Sequence, residues 1–113
     1  MHEVGIIQST LQMAEKSARD SGATRIHELK MQIGAMSSVA AESLEFAFEV
    51  IRKGTMAEEA RLVIEKVPLS AWCEPCGKEF QAEDYSLQCK DCGHVSNDIR
   101  HGRELALVSM EVS

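Results

Sequence analysis

The chain has 113 residues, 44% hydrophobic and 27% charged, which suits one domain or one domain with a small module. Eighteen acidic residues against twelve basic ones give a net charge of −6, which opposes non-specific binding to phosphate backbones, so no nucleic-acid partner is expected. Aromatics are only 4%, so the core must be aliphatic and methionine-filled; no apolar run approaches a membrane span, and the start lacks the basic and long apolar stretches of a signal peptide, so a cytoplasmic protein is expected.

The first predicted element is a helix over 3–20. Val4, Ile7, Leu11, Ala14 and Ala18 recur at three- and four-residue spacing and share a face, and Gly22 follows as a stop. Such a helix is about 27 Å long. Residues 26–33 alternate as a strand with His27, Leu29, Met31 and Ile33 on the apolar face, which places His27 as a partly buried residue. The Ser37-Ser38 pair supplies a turn and an N-cap for a second helix over 39–53. Its apolar stripe is Ala40, Leu44, Ala47, Phe48 and Ile51, while Glu42, Glu45 and Glu49 read as a solvated face. A second strand follows over 61–67.

Pro68 marks a change of composition, since all four cysteines and both prolines fall between Pro68 and Cys92. The last element is a strand over 104–112 whose apolar residues fall on both faces, which predicts a central position covered on both sides. The expected fold is therefore α+β: a small three-stranded sheet packed on two helices, with a zinc-ribbon-like four-cysteine module inserted before the last strand. In residues, 1–68 plus 103–113 form the main domain and 69–102 the module.

Within the module the spacing is Cys73-x2-Cys76, twelve residues, then Cys89-x2-Cys92, and each pair is followed by glycine. Two residues between cysteines let a tight turn aim both sulfurs at one ion, and two such turns make a tetrahedral sulfur set that suits zinc. In a reducing compartment metal ligation is favoured over disulfides. Iron, two disulfides and free thiols are the alternatives. Four filled positions leave none open, so the zinc is expected to be structural. Between Cys73 and Gly93 two lysines face five carboxylates, and Trp72, Phe80 and Tyr85 without interleaved bases read as the module's own small core. His94 and His101 read as solvated or hydrogen-bonded loop residues. No Gly-rich phosphate loop is present and no nucleophile has an evident base, so no catalytic residue is assigned and no enzyme is expected.

The chain begins Met1-His2-Glu3 just where the first helix starts. The first four amides of a helix have no internal partner. The amides of His2 and Glu3, the Met1 amine and the His2 imidazole therefore offer a nitrogen-rich, near-planar donor set, which suits Ni(II) or Cu(II). By spacing alone, an exposed histidine at a frayed end is the favoured reading.

These motifs together resemble the HypA/HybF family of hydrogenase nickel incorporation proteins. The resemblance rests on the Met1-His2-Glu3 start, the long first helix, the two Cys-x2-Cys-Gly knuckles at twelve-residue spacing and the Gly102-Arg103-Glu104-Leu105 entry into the last strand, and it spans essentially the whole chain. It implies a nickel metallochaperone for [NiFe]-hydrogenase maturation. Nickel would bind as cargo through His2, assisted by the Met1 amine and the Glu3 backbone, and Cys73, Cys76, Cys89 and Cys92 would hold structural zinc. The implied partners are the GTPase HypB and the hydrogenase large-subunit precursor, and a homodimer, sometimes formed by exchange of elements, is compatible with the family. The competing reading from another class is a zinc-ribbon adaptor that binds only proteins and has no nickel role.

Overall fold

A computed structural model describes residues 3–113. The elements run α1 (Glu3–Asp20), β1 (Ile26–Gly34), α2 (Ala41–Ile51), β2 (Arg61–Val67), β3 (Ser70–Cys73), β4 (Lys78–Gln81), a short 3-10 turn at Glu83–Tyr85, β5 (Ile99–His101) and β6 (Leu105–Val112). They form two three-stranded sheets, β2-β1-β6 and β4-β3-β5, so the fold is α+β as expected.

The termination of α1 is built from backbone bonds. The Ala23 amide donates to the Ala18 carbonyl and the Gly22 amide to the Arg19 carbonyl, both at 2.9 Å, satisfying two of the carbonyls a helix end leaves open. The helix buries Ile6, Ile7, Thr10, Leu11, Ala14 and Ala18. Val4, placed on that face by its spacing, is instead exposed. The second helix is shorter than its pattern implied. Its N-cap is Ala40, with no side-chain cap bond, so the Ser37-Ser38 pair does not cap it and Ala40 is outside the buried stripe. Leu44, Ala47 and Phe48 are its buried residues. At its other end Arg52 donates to the Ala60 carbonyl at 2.9 Å and lies over the Phe48 ring, which holds the following turn.

In the first sheet the Arg61–Glu28 ion pair and the Gln32–Glu65 hydrogen bond advance together along both strands, so β1 and β2 run parallel, joined through α2. By contrast, Arg25 exchanges backbone bonds with Ser113, while Gly34 donates to Glu104, so β1 and β6 are antiparallel. The central strand is β1. The expectation that the last strand is central is thus overturned: β6 lies at a sheet edge and none of its residues is fully buried. Its two-sided apolar pattern reflects half-covered faces. His27 also departs from expectation. It is exposed near the start of β1, its Nε2 2.7 Å from the Ser113 hydroxyl, while Ile26 and Leu29 beside it are buried.

By compactness the chain divides into two units. The first runs through Gln32 and adds Val39–Glu65 and Ala106–Ser113; the second is Ile33–Ser38 with Lys66–Leu105. The first unit has an aliphatic core of Ile7, Ile26, Leu29, Met31, Leu44 and Phe48, each at most 2% exposed. The second contains a backbone crossing at which Gly34 and Gly102 nearly touch. A Cβ on Gly34 would lie 2.1 Å from the Gly102 carbonyl oxygen, so that position excludes any other residue without backbone movement. Beside it Met36 donates to the Gly102 carbonyl and Ala35 to that of Val67. This ties the 33–38 segment to the cysteine-bearing part of the chain.

Candidate metal centre

The first knuckle grows out of the β3-β4 hairpin, where Cys73 stands opposite Lys78. The connecting turn closes with the Gly77 amide donating to the Cys73 carbonyl at 2.8 Å, and Gly77 takes a φ of 64°, a region costly for residues with a Cβ. The second knuckle repeats the device without a hairpin of named strands. Gly93 donates to the Cys89 carbonyl and Cys89 to that of His94, each at 2.8 Å, and Gln88 pairs with Val95 as an isolated bridge. The same two-residue spacing thus yields the same local turn in two different settings.

These turns converge. The four sulfurs lie within 4.8 Å of one another, the single group among the described residues with donors arranged to hold a metal ion. Two contacts run between the knuckles, Cys73 to Cys92 at 3.4 Å and Cys76 to Cys89 at 4.0 Å. A zinc ion bound tetrahedrally at about 2.3 Å needs sulfurs about 3.8 Å apart, so the set fits such an ion. None of the four is disulfide-bonded. Cys73 and Cys89 are buried, whereas Cys76 and Cys92 are exposed, so each knuckle has one buried and one exposed cysteine.

The electrostatics of the cluster are uneven. The Cys92 and Asp91 amides point at the Cys89 sulfur and bring its pKa down to about 7. Cys76, beside the Cys92 and Cys73 sulfurs, is pushed up to about 12, and burial pushes the Cys73 thiol up as well. Neighbouring thiolates repel one another, so the group cannot ionise fully by itself. A divalent cation removes that obstacle, and its binding must expel protons.

The surroundings are polar. Lys78 pairs with Asp91, linking one knuckle to the other, and Lys90 pairs with Glu83. Buried Ser96 donates to the Trp72 carbonyl at 2.6 Å and accepts from the Asp98 amide, while Arg100 lies over the Trp72 ring 4.7 Å from its centre. Tyr85 is not part of a small core. It is 67% exposed, has a φ of 62°, and its hydroxyl donates to the Ala35 carbonyl at 3.1 Å. His101 sits between Glu79 and Glu104, with ring nitrogens 3.6 and 3.4 Å from their carboxylates. His94 offers its backbone carbonyl to the second knuckle, and neither histidine belongs to the metal-holding group. The bridging Lys78–Asp91 pair was readable as opposite charges flanking the ligands; Ser96 left no signal in the sequence.

Of the sequence-predicted site residues, the structure brings the four cysteines together. Met1 and His2 lie outside the described residues, and Glu3 begins α1, half-buried.

A family described as hydrogenase/urease nickel incorporation, metallochaperone, HypA matches residues 1–112. The chain belongs to that family. Relatives named hydrogenase maturation factor HypA include one from Picosynechococcus sp., 43% identical over 112 residues, with 99% of each chain covered. Another, from Geobacter metallireducens, is 40% identical at the same coverage. The solution structure of the Ni metallochaperone HypA from Helicobacter pylori superposes with a TM-score of 0.70 at 27% identity, covering 99% of this chain and 97% of that one. The resemblance read from the Met1-His2-Glu3 start and the paired knuckles thus holds for the family as a whole. Among the described residues no helix is long and apolar enough to cross a membrane.

Proposed function

We propose that this chain carries Ni(II) as cargo on its N-terminal nitrogens and delivers it during [NiFe]-hydrogenase maturation, while its four cysteines hold a structural Zn(II). The supporting observation is a family match that starts at Met1, in a chain whose four cysteines already gather in one cluster elsewhere. The nickel donors are the Met1 amine, the His2 imidazole and the backbone at Glu3. Such nitrogens favour a near-planar d8 ion, and protons compete for them, so acid weakens binding. Thiolates fix zinc as a crosslink, and a site meant for delivery must also let its ion leave. Delivery would proceed in the cytoplasm to a hydrogenase large-subunit precursor with a HypB-type GTPase as partner, and the chain itself would not be an enzyme.

The test is nickel titration of untagged, zinc-loaded protein, followed by absorption spectroscopy for a planar low-spin centre. His2→Ala should abolish that centre while zinc content and helical signal stay unchanged. Unaltered nickel stoichiometry and affinity in a folded His2→Ala protein would refute the assignment, and leave the protein-binding adaptor.

A further inference from the structure

Outside the metal centre, the least expected surface lies on the first unit. The core face of α2 is already filled, with Leu44, Ala47 and Phe48 at most 4% exposed. Phe46 and Val50, four residues apart on a different face, are nevertheless 73% and 55% exposed, and Val4 on α1 is 50% exposed. All three line one groove of about 530 Å³, closed by Ile51 and rimmed by Glu3 and Glu42. Three large apolar side chains gathered at one open groove cost free energy that scattered ones do not, and such patches mark places where something docks.

The rim says what kind of partner fits. Over its whole length α2 carries three glutamates and no basic residue. Glu49 is engaged by Arg52, whereas Glu42 and Glu45 form no ion pair among the described residues. A second copy of this chain would bring another −6 and the same acidic rim against it. A segment with apolar anchors at helical spacing between lysines or arginines would fill the groove and meet the carboxylates.

We propose that the α1–α2 groove is the docking surface for an amphipathic helical segment of a partner protein, anchored on Phe46 and Val50 and flanked by basic residues. Glu3, on the rim, is itself one of the proposed cargo donors, so a partner held here reaches that residue; that part of the inference rests on the nickel reading, and the groove itself does not.

The test uses full-length zinc-loaded protein without nickel and a fluorescein-labelled leucine-lysine peptide of about 18 residues, with leucines at helical spacing. Anisotropy at about 0.15 M salt should show saturable one-to-one binding. Amide shifts on titration should centre on Val4, Phe46 and Val50. Phe46→Ala should weaken binding about tenfold or more, as loss of an aromatic anchor does. Glu42→Lys with Glu45→Lys should reverse the preference toward the same peptide carrying glutamate for lysine. Val50→Ala is the second variant should Phe46→Ala misfold. Equal binding of the lysine and glutamate peptides, undiminished binding to both anchor variants, or shifts centred elsewhere would overturn the proposal. So would a dimer, seen by sedimentation, that Phe46→Ala dissociates, because the occupant is then a second copy. Nickel titration of Phe46→Ala keeps the two readings apart: unchanged nickel affinity with lost peptide binding supports the groove whatever the fate of the nickel site.

Discussion

The two units of the chain are held together by different means. The first buries large aliphatic and aromatic side chains and, among the described residues, has no ionisable group in its core. The second buries Leu69, Ala71, Ile33 and two cysteines, and otherwise relies on turns, short hairpins and charge pairs. The contrast follows from the surface-to-volume problem. A short segment of chain cannot enclose enough apolar area, and the proposed zinc crosslink would supply what burial does not.

The largest expected effect breaks the second unit alone. Cys73→Ser removes a buried ligand of the proposed zinc centre, and prolonged chelation removes the ion itself; binding at such centres supplies about 10–16 kcal/mol in small zinc-dependent domains. Amide exchange should become fast over 70–101 while the α1 and α2 amides stay protected. Loss of protection throughout the chain would show that the units do not differ as described. The converse change is Leu44→Ala, which empties a fully buried site in the first unit. It should cost about 2–5 kcal/mol in chemical denaturation without lowering zinc content. Zinc lost in parallel with Leu44 would erase the distinction.

The smallest effect concerns protons. Cys76, at about 12, surrenders a whole proton to zinc anywhere between pH 6 and 8, whereas Cys89, at about 7, is largely protonated at the lower pH and largely ionised at the higher. The protons released by Cys89 per zinc bound should therefore fall as pH rises, by at most about one. In the other direction, protons compete better as pH drops, so acid should loosen the second unit before the first. Calorimetry in buffers of different ionisation enthalpy measures the release, and a constant proton count across this range would contradict the amide-stabilised Cys89 thiolate.

How far the sequence revealed this structure depended on the kind of force involved. Helix α1 and strand β2 occupy the residues their periodicity marked, because local spacing decides them. The four cysteines were legible for a related reason: a two-residue gap fixes a turn whatever surrounds it. What escaped was decided at a distance. The edge position of β6 depends on which strand pairs with β1, and both faces of an edge strand can be apolar without being covered. His27 alternates correctly with Leu29, but at the start of the strand it is Ile26 that turns inward and His27 that meets solvent. Ser96 and the attachment of Ile33–Ser38 to the cysteine unit depend on partners tens of residues away. Phe46 sits two positions from Leu44, off the core stripe, where spacing alone places it outward.

The close passage of Gly34 against Gly102 has a consequence for synthesis. The backbone bonds around it, from Gly34 to Glu104 and from Met36 to Gly102, join parts of the chain made early and late. On a ribosome, residues 33–38 emerge long before their partners exist, and β1 waits beside one open edge until β6 is complete. Helices α1 and α2 can form as they appear, but closure of this crossing is a late, long-range event of the sort that slows folding. Until β6 has paired, the nascent protein must keep an open strand edge and four thiols from other neighbours.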